Sequence, residues 1–347
     1  FWIIAEEIKK EEGTLRMIVQ PDASVISGIL RLCGRTESNV RIDHIICLSD
    51  QPDKIEDGKL YNLECLKKIL PLYNYNYDYN SWYYYGNTSY VDMAFVMFPY
   101  MVLTSEYACM LSADIKSGCI TRDKEMIKML EERFTSYQKK SRRLVNCIAN
   151  IMEQFDVVGT AVSTKYSGYN LQMEPCVMSF LDQEIIEKYL NPQMPNREYF
   201  VKETIAYCKN LSAQNITYIF SMDGLLHFLE TGNIRELSQD IYIRPALEDR
   251  VKIIERILHP EGGQKVKILK QKIGHPETDV NILVTSEHGL LLVAVPAKNI
   301  FLDMILEESG VLYSFYDFCE NLGNVMFYGQ EEAERLVLEH AKMLQCE

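Results

Sequence analysis

The sequence lacks the short motifs that announce common enzyme chemistries. It contains no GxGxxG or GxxxxGK[ST] loop for phosphates, no HExxH zinc site and no GxSxG nucleophile turn. The longest apolar run, residues 93–103, is too short to cross a bilayer, and no signal peptide is recognisable. We therefore predict a protein with no membrane contact and no reaction that sequence motifs identify.

Paired cysteines are absent as well. The ten cysteines form no CxxC pair, and most lie in apolar runs, as Cys47 does in HIICL. Scattered thiols of this kind are typical of the reduced core of a cytoplasmic protein. The six histidines show no metal-ligand spacing, so the sequence predicts no metal site and no bound cofactor.

Basic residues are fewer than acidic ones, with 36 Lys and Arg against 49 Asp and Glu. The net charge is −13, which disfavours broad contact with nucleic acid. The basic cluster at residues 139–143 is interpreted as the solvated face of a helix. Because the chain starts at Phe1 without Met, directly in an apolar pattern, we expect any DNA contact to belong to a domain that precedes Phe1.

What the sequence does contain is an internal duplication. Residues 102–111 (VLTSEYACML) and 283–292 (LVTSEHGLLL) share a Thr-Ser-Glu turn between two apolar runs, which predicts a hairpin in each half. Three further pairs occur in the same order: 15–23 with 216–224, 65–70 with 253–258, and 126–134 with 312–322. The pattern predicts a mixed α/β fold made of two tandem copies of one module; chance similarity of two α/β stretches is the alternative.

The copies set the predicted domain boundaries. The first module covers 1–135, and the second covers 196–347 and ends in a closing helix over 330–344. Residues 123–155 contain no Gly or Pro and predict a connecting helix, either continuous or broken near Ser136. Residues 156–198 predict a small hairpin followed by a helix, which leads into the second module.

A tyrosine-rich tract lies at residues 71–87 and holds eight aromatic rings in seventeen positions. It aligns with the alternating segment KVKILK of the second copy, so we predict a strand with Tyr73, Tyr75, Tyr77 and Tyr79 on one face. One interpretation is edge-strand packing. The other is a ligand or partner surface, with candidate residues Tyr75, Tyr77, Tyr79, Trp82 and Tyr84.

Two carboxylates follow apolar strands at matching positions of the copies. Asp22 and Asp223 lie where open α/β sheets place ligand contacts, and they are candidate binding residues for that reason. The same position also suits a helix N-cap, which we favour. Ser105 and Glu106 lie in a turn and have no His or Lys near them in sequence, so no chemistry is assigned to them.

Two resemblances bear on function. Two similar α/β halves resemble the plan of the phospholipase D superfamily, whose active site needs an H-x-K from each half. Only one H-x-K occurs, at residues 340–342, so the resemblance implies a fold without phosphodiester chemistry. The second half (residues 200–211, 289–295 and 311–322) looks like the C-terminal effector region of bacterial helix-turn-helix transcriptional regulators, although the sequence contains no helix-turn-helix itself.

These observations lead to three hypotheses. The first is a non-enzymatic sensing and dimerisation region of a cytoplasmic regulator, with a small-molecule or peptide effector and a homodimeric state. The second is a degenerate phospholipase D-like or other hydrolase, with Asp22, Asp223 and His340 as the first residues to test. The third is a protein–protein scaffold that docks its partner through the tyrosine tract.

Overall fold

The chain divides into two compact α/β units, residues 1–146 and 147–347. A computed structural model describes residues 2–21, 26, 28–29, 31, 40–49, 61–74, 78–86, 97–148, 167–234, 241–273, 279–285, 289–295 and 300–346. Each unit contains a mixed β-sheet with helices packed on it. This confirms the predicted mixed α/β class.

The first unit is built on a seven-stranded sheet in the order β6-β5-β4-β1-β2-β3-β7. Strands β1, β2 and β3 run parallel, whereas β4 is antiparallel to β1, and β5 and β6 continue as hairpins. Its elements are α1 (Trp2–Ile8), β1 (Thr14–Ile18), β2 (Arg41–Leu48), α2 (Tyr61–Ile69), a 3-10 turn (Leu70–Asn74), β3 (Asp78–Tyr85), β4 (Tyr100–Leu103), β5 (Ala108–Leu111), β6 (Gly118–Thr121), α3 (Lys124–Lys140) and β7 (Arg142–Arg143).

Helix α3 covers one face of this sheet. It begins at Asp123, whose carboxylate accepts a hydrogen bond from the Met126 N–H at 2.8 Å. Ile127, Leu130 and Phe134 follow the i, i+3, i+7 spacing of one helix face and are buried against β2, β4 and β5. The helix is therefore part of the first unit's core.

The predicted helix over 123–155 is wrong beyond Lys140. The backbone becomes extended at Ser141, and Arg142 and Arg143 pair with β3 as strand β7. Strand β8 (Val145–Ile148) then joins the second sheet. The apolar spacing permits a helix here, but pairing with an open strand edge satisfies the backbone groups instead. Residues 149–155 lie outside the described ranges.

The second unit contains the elements β9 (Ser167–Leu171), a 3-10 turn (Met178–Phe180), α4 (Gln183–Tyr189), α5 (Arg197–Ser212), β10 (Asn215–Ser221), α6 (Met222–Thr231), α7 (Leu247–Leu258), β11 (Lys265–Leu269), β12 (Asp279–Thr285), β13 (Gly289–Val295), β14 (Ile300–Leu306), α8 (Ser309–Glu320), a 3-10 turn (Asn324–Met326) and α9 (Gln330–Cys346). Its sheet has the order β11-β10-β9-β12-β13-β14-β8. The core packs α4 to α7 and α9 around β10, whose Tyr218 and Phe220 are fully buried.

The two sheets share one topology over six strands. Among these six strands of each sheet, the strand that comes first in the sequence pairs in parallel with the second, and the second pairs in parallel with the third. The other edge of the first strand pairs with the fourth strand, and the fourth, fifth and sixth strands follow as antiparallel neighbours. The equivalent pairs are β1/β9, β2/β10, β3/β11, β4/β12, β5/β13 and β6/β14. The predicted duplication is thus present in the topology, and the strand pairs β4–β5 and β12–β13, the helices α2 and α7, and the strands β3 and β11 occupy equivalent places.

One landmark of the predicted alignment is wrong by a strand. Residues 15–18 belong to β1, whose counterpart is β9, whereas residues 216–221 belong to β10, the counterpart of β2. Both are central strands of their sheets and carry buried apolar side chains, so a search for apolar patterns does not tell them apart.

The predicted hairpin within 156–198 is also wrong where the structure describes it. Strand β9 lies in the middle of the second sheet, parallel to β10 and antiparallel to β12. The predicted helix that follows is present as α4, and its N-cap is Asp182. The described helices include none that is both long and apolar enough to span a bilayer.

Candidate functional site

A cavity of about 500 Å³ opens at the carboxyl ends of the three parallel strands of the first unit. Parallel strands end at a common edge of their sheet, which is where open α/β folds bind ligands. The described lining comes from β1 and the residues after it, the ends of β2 and β3, the start of β4, one residue of β5, and α3: Ile18, Val19, Gln20, Ile45, Cys47, Tyr84, Gly86, Phe98, Pro99, Tyr100, Met101, Met110, Leu130, Arg133 and Tyr137.

Strand β3 and helix α3 supply two facing walls of the cavity. The strand period of two places Trp82 and Tyr84 on the face that α3 covers. On α3, Leu130, Arg133 and Tyr137 follow helical spacing and share one side. The Tyr84 and Tyr137 rings lie 6.1 Å apart, so the two elements bring a pair of phenols together.

The lining combines aromatic rings with few polar groups. Rings from Tyr84, Phe98, Tyr100 and Tyr137 surround the space, and Arg133 is the one charged residue among the described lining residues. Burial, with the neighbouring Cys47 thiol as a smaller cause, raises the pKa of the Tyr84 phenol, so it stays a protonated donor.

Gln20 adds an unsatisfied acceptor. Its Oε1 is buried and has no hydrogen-bond partner among the described residues. A buried carbonyl oxygen without a partner costs about 1–3 kcal/mol, and a ligand donor that reaches it recovers that cost. Gln20, Phe98, Tyr100, Arg133 and Tyr137 were not predicted as site residues, and the only signal for them was the helical spacing of 130, 133 and 137.

The predicted aromatic candidates separate into different environments. Tyr79 is buried, its hydroxyl donates a 2.8 Å hydrogen bond to His44 Nδ1, and its ring packs edge-on against that of Tyr73, so it belongs to the core. Trp82 is half-buried with the Arg143 guanidinium 5.2 Å above its ring. Only Tyr84 of the described candidates lines the cavity.

The tract is less regular than predicted. Residues 70–74 form a 3-10 turn, and the strand starts at Asp78, so Tyr73 is not a strand residue. Its hydroxyl bonds Ser81 instead, which fixes the turn against the strand. Tyr75, Tyr77 and Asp22 lie outside the described residues.

Asp223 is not the helix cap that we favoured. Ser221 is the N-cap of α6: its hydroxyl accepts from the Gly224 N–H at 3.0 Å and donates to the Met173 carbonyl at 2.6 Å. Asp223 is exposed in the first turn, where its charge complements the helix dipole. It belongs to the second unit and follows the strand equivalent to β2, so it is not the counterpart of Asp22.

The Thr-Ser-Glu hairpin of the first unit gains a neighbour that the sequence did not reveal. Lys10 Nζ lies 2.6 Å from Ser105 Oγ and 2.9 Å from both Glu7 and Glu106. A serine beside a lysine is a nucleophile–base geometry, but the base must be neutral. Hydrogen bonds to Glu7 and Glu106 raise the pKa of Lys10, so it stays protonated and the cluster anchors α1 to the hairpin.

The two hydrolase candidates that the structure describes, Asp223 and His340, lie on different helices, α6 and α9. His340, in the lone H-x-K, lies on α9, and its Nε2 is 2.8 Å from Glu230 of α6. Ser286 and Glu287, which are the second copy's equivalents of Ser105 and Glu106, are not among the described residues. Within the described ranges, histidine, cysteine and carboxylate side chains form no cluster suited to a metal ion.

Comparison with known proteins identifies no family and finds structural similarity at low sequence identity. No protein-family profile matches the chain, and no curated protein matches it by sequence. Among solved structures, polyphosphate kinase from Porphyromonas gingivalis is similar at 10% identity and a TM-score of 0.24, over 99% of this chain and 53% of that one, so the chain spans about half its length. Phosphatidylserine synthase from Haemophilus influenzae is similar at 11% identity and a TM-score of 0.28, over 99% of this chain and 89% of that one.

Proposed function

We propose that the first unit is a small-molecule-binding module and that the chain acts as a ligand sensor. The observation that carries this proposal is the cavity at the carboxyl ends of β1 to β3. Its volume of about 500 Å³ lies within the range of small-ligand sites, and its walls combine rings with a few polar groups.

The lining favours a flat ligand with an anionic group. Tyr84 and Tyr137 offer ring faces and hydroxyl donors, and Arg133 offers a guanidinium for a carboxylate or a similar anion. The Gln20 oxygen accepts a hydrogen bond from a ligand hydroxyl or amine. An aromatic hydroxy acid has each of these features.

The same helix that lines the cavity supports a role in sensing. Leu130, Arg133 and Tyr137 belong to α3, and the chain continues from its end through β7 into β8 of the second sheet. A ligand that favours one position of α3 would shift the population of states of the segment that follows it. A regulatory role in a homodimeric state is part of the same proposal.

Thermal unfolding with an aromatic acid panel tests the proposal. We expect benzoate, 4-hydroxybenzoate or 1-naphthoate to raise the midpoint and the corresponding amides to raise it less. In Arg133→Met, the acid and its amide should raise the unfolding midpoint equally. In Lys128→Met, on an exposed site of the same helix, the acid should still raise the midpoint more than the amide. Native mass spectrometry of protein purified from its host would identify a retained ligand; an apo mass together with a flat panel would contradict the proposal.

A second candidate rests on the doubled topology. Two equivalent sheets in one chain agree with the two-half plan of the phospholipase D superfamily, and a degenerate hydrolase of that kind is the alternative. Hydrolysis of bis(4-nitrophenyl) phosphate is its assay. Activity that falls in both Asp223→Asn and His340→Gln would favour the hydrolase, and activity equal to buffer would reject it.

A further inference from the structure

The second unit has its own cavity, of about 590 Å³, beside the edge strand β11. Lining residues come from β11, the end of α7 and the segment that leads into α9. Lys265 and Lys267 are the charged residues in the described lining, which includes no carboxylate. In a chain of net charge −13, this is a locally positive site.

The backbone of β11 is unpaired along part of this cavity. On the outer edge, the Ile268 carbonyl accepts from the Tyr328 N–H at 2.8 Å, and the Lys270 N–H donates to the Met326 carbonyl at 2.9 Å. Strand backbone groups alternate in direction, so the N–H and C=O of Val266 point to the same outer edge. Within the described ranges, no residue pairs with Val266 on that side.

The first unit shows what occupies the equivalent edge. Strand β3 is the counterpart of β11, and its outer edge is paired antiparallel with β7. The Leu144 N–H extends that pairing to the Ser81 carbonyl at 3.0 Å. In the second unit, residues 326–328 cover only the end of β11 at Leu269. Among the residues that the structure describes, none therefore fills the strand position beside Val266.

We propose that β11 binds an extended acidic peptide segment, which adds a strand to its open edge. Strand addition uses main-chain hydrogen bonds for affinity and alternate side chains for specificity. Lys265 and Lys267 share one face of β11, whereas Val266 and Ile268 share the other. The matching partner alternates carboxylates, beside the lysines, with apolar side chains beside Val266.

A displayed library of short random peptides, selected on the intact chain, tests this pattern. We expect enriched peptides to alternate Asp or Glu with Val, Ile or Leu. The double variant Lys265→Glu, Lys267→Glu should bind them about tenfold more weakly, whereas Lys272→Glu, an exposed control outside the lining, should bind normally. Enrichment of peptides without this alternation, or no enrichment, would overturn the proposal.

A second measurement leaves the protein unaltered. The best peptide is made in two forms, one N-methylated at residues whose N–H faces β11 and one at the alternate residues. Strand addition predicts that only the first form loses binding, because it loses the donors. Equal binding of both forms, or equal competition by inorganic phosphate and by the peptide, would identify a simple anion site and refute strand addition. Neither result depends on the ligand cavity of the first unit.

Discussion

Acid should destabilise the first unit through a buried histidine. His44, in β2, is fully buried, with Nε2 at 2.8 Å from the Val19 carbonyl and Nδ1 at 2.8 Å from the Tyr79 hydroxyl. Since a carbonyl only accepts, Nε2 carries the proton and Nδ1 accepts from Tyr79. The neutral imidazole is thus fully satisfied, and burial lowers the pKa of His44 from 6.5 to about 4.

The sign of the pH effect follows from this lowered pKa. Between pH 6.5 and about 4 the unfolded chain binds a proton at His44 that the folded chain does not bind. The neutral His44 side chain therefore makes its full contribution to the free energy of unfolding above pH 6.5, and this contribution is lost as the pH falls toward 4. The loss is about 1.4 kcal/mol for each pH unit, or roughly 3 kcal/mol in all.

The comparison variant is His44→Gln. A glutamine amide can donate to the Val19 carbonyl and accept from the Tyr79 hydroxyl, but it does not titrate. Urea unfolding, monitored through the hydrogen exchange of β2 amides, gives the free energy of unfolding of the first unit at each pH. The advantage of wild type over the variant should shrink by about 1.4 kcal/mol per unit below pH 6.5.

Carboxylates titrate in the same pH range, but they do so equally in both proteins, so the difference isolates His44. His227→Gln, in the second unit, controls for the loss of any histidine. If the wild-type and His44→Gln curves ran parallel from neutral pH to about pH 4, the argument from burial and hydrogen bonding would be refuted.

Two stability measurements test the packing of each unit. Phe134 on α3 is 1% exposed, so Phe134→Ala should lower the first unit's free energy of unfolding by about 3–5 kcal/mol in urea unfolding. Met129 on the same helix is 53% exposed, so Met129→Ala should change that free energy little. Equal effects of the two substitutions would show that α3 is not a core helix. Gly224→Ala would place a Cβ 2.0 Å from the Met173 carbonyl oxygen and should lower the second unit's free energy of unfolding by about 1–3 kcal/mol, although helix propensity alone predicts a gain. Gly323→Ala, whose Cβ would lie 3.9 Å from its nearest neighbour, should leave the Tm unchanged. A higher Tm for Gly224→Ala would contradict the packing.

Local sequence determined the elements whose signals lie within a few residues. The apolar spacing and the absence of Gly and Pro after residue 123 predicted the start of α3, and the Thr-Ser-Glu turn predicted the hairpin of β4 and β5. Alternation in KVKILK predicted β11, whereas the alternating residues 73–79 of the tyrosine tract lie mostly before β3, which starts at Asp78. Adjacent side chains set these patterns, so one sequence suffices to detect them.

Tertiary structure decided how the elements pair and which side chains meet. Sequence could not distinguish β1 from β10, because both are central strands with apolar residues. It could not foresee that the chain leaves α3 at Ser141 either, because that depends on the open edge of β3. The ligand cavity joins Gln20, Tyr84 and Arg133, which lie far apart in sequence and share no local pattern. Side chains converge there because the parallel strands end at one edge and α3 crosses over them, and such long-range packing leaves no periodic signal in the sequence.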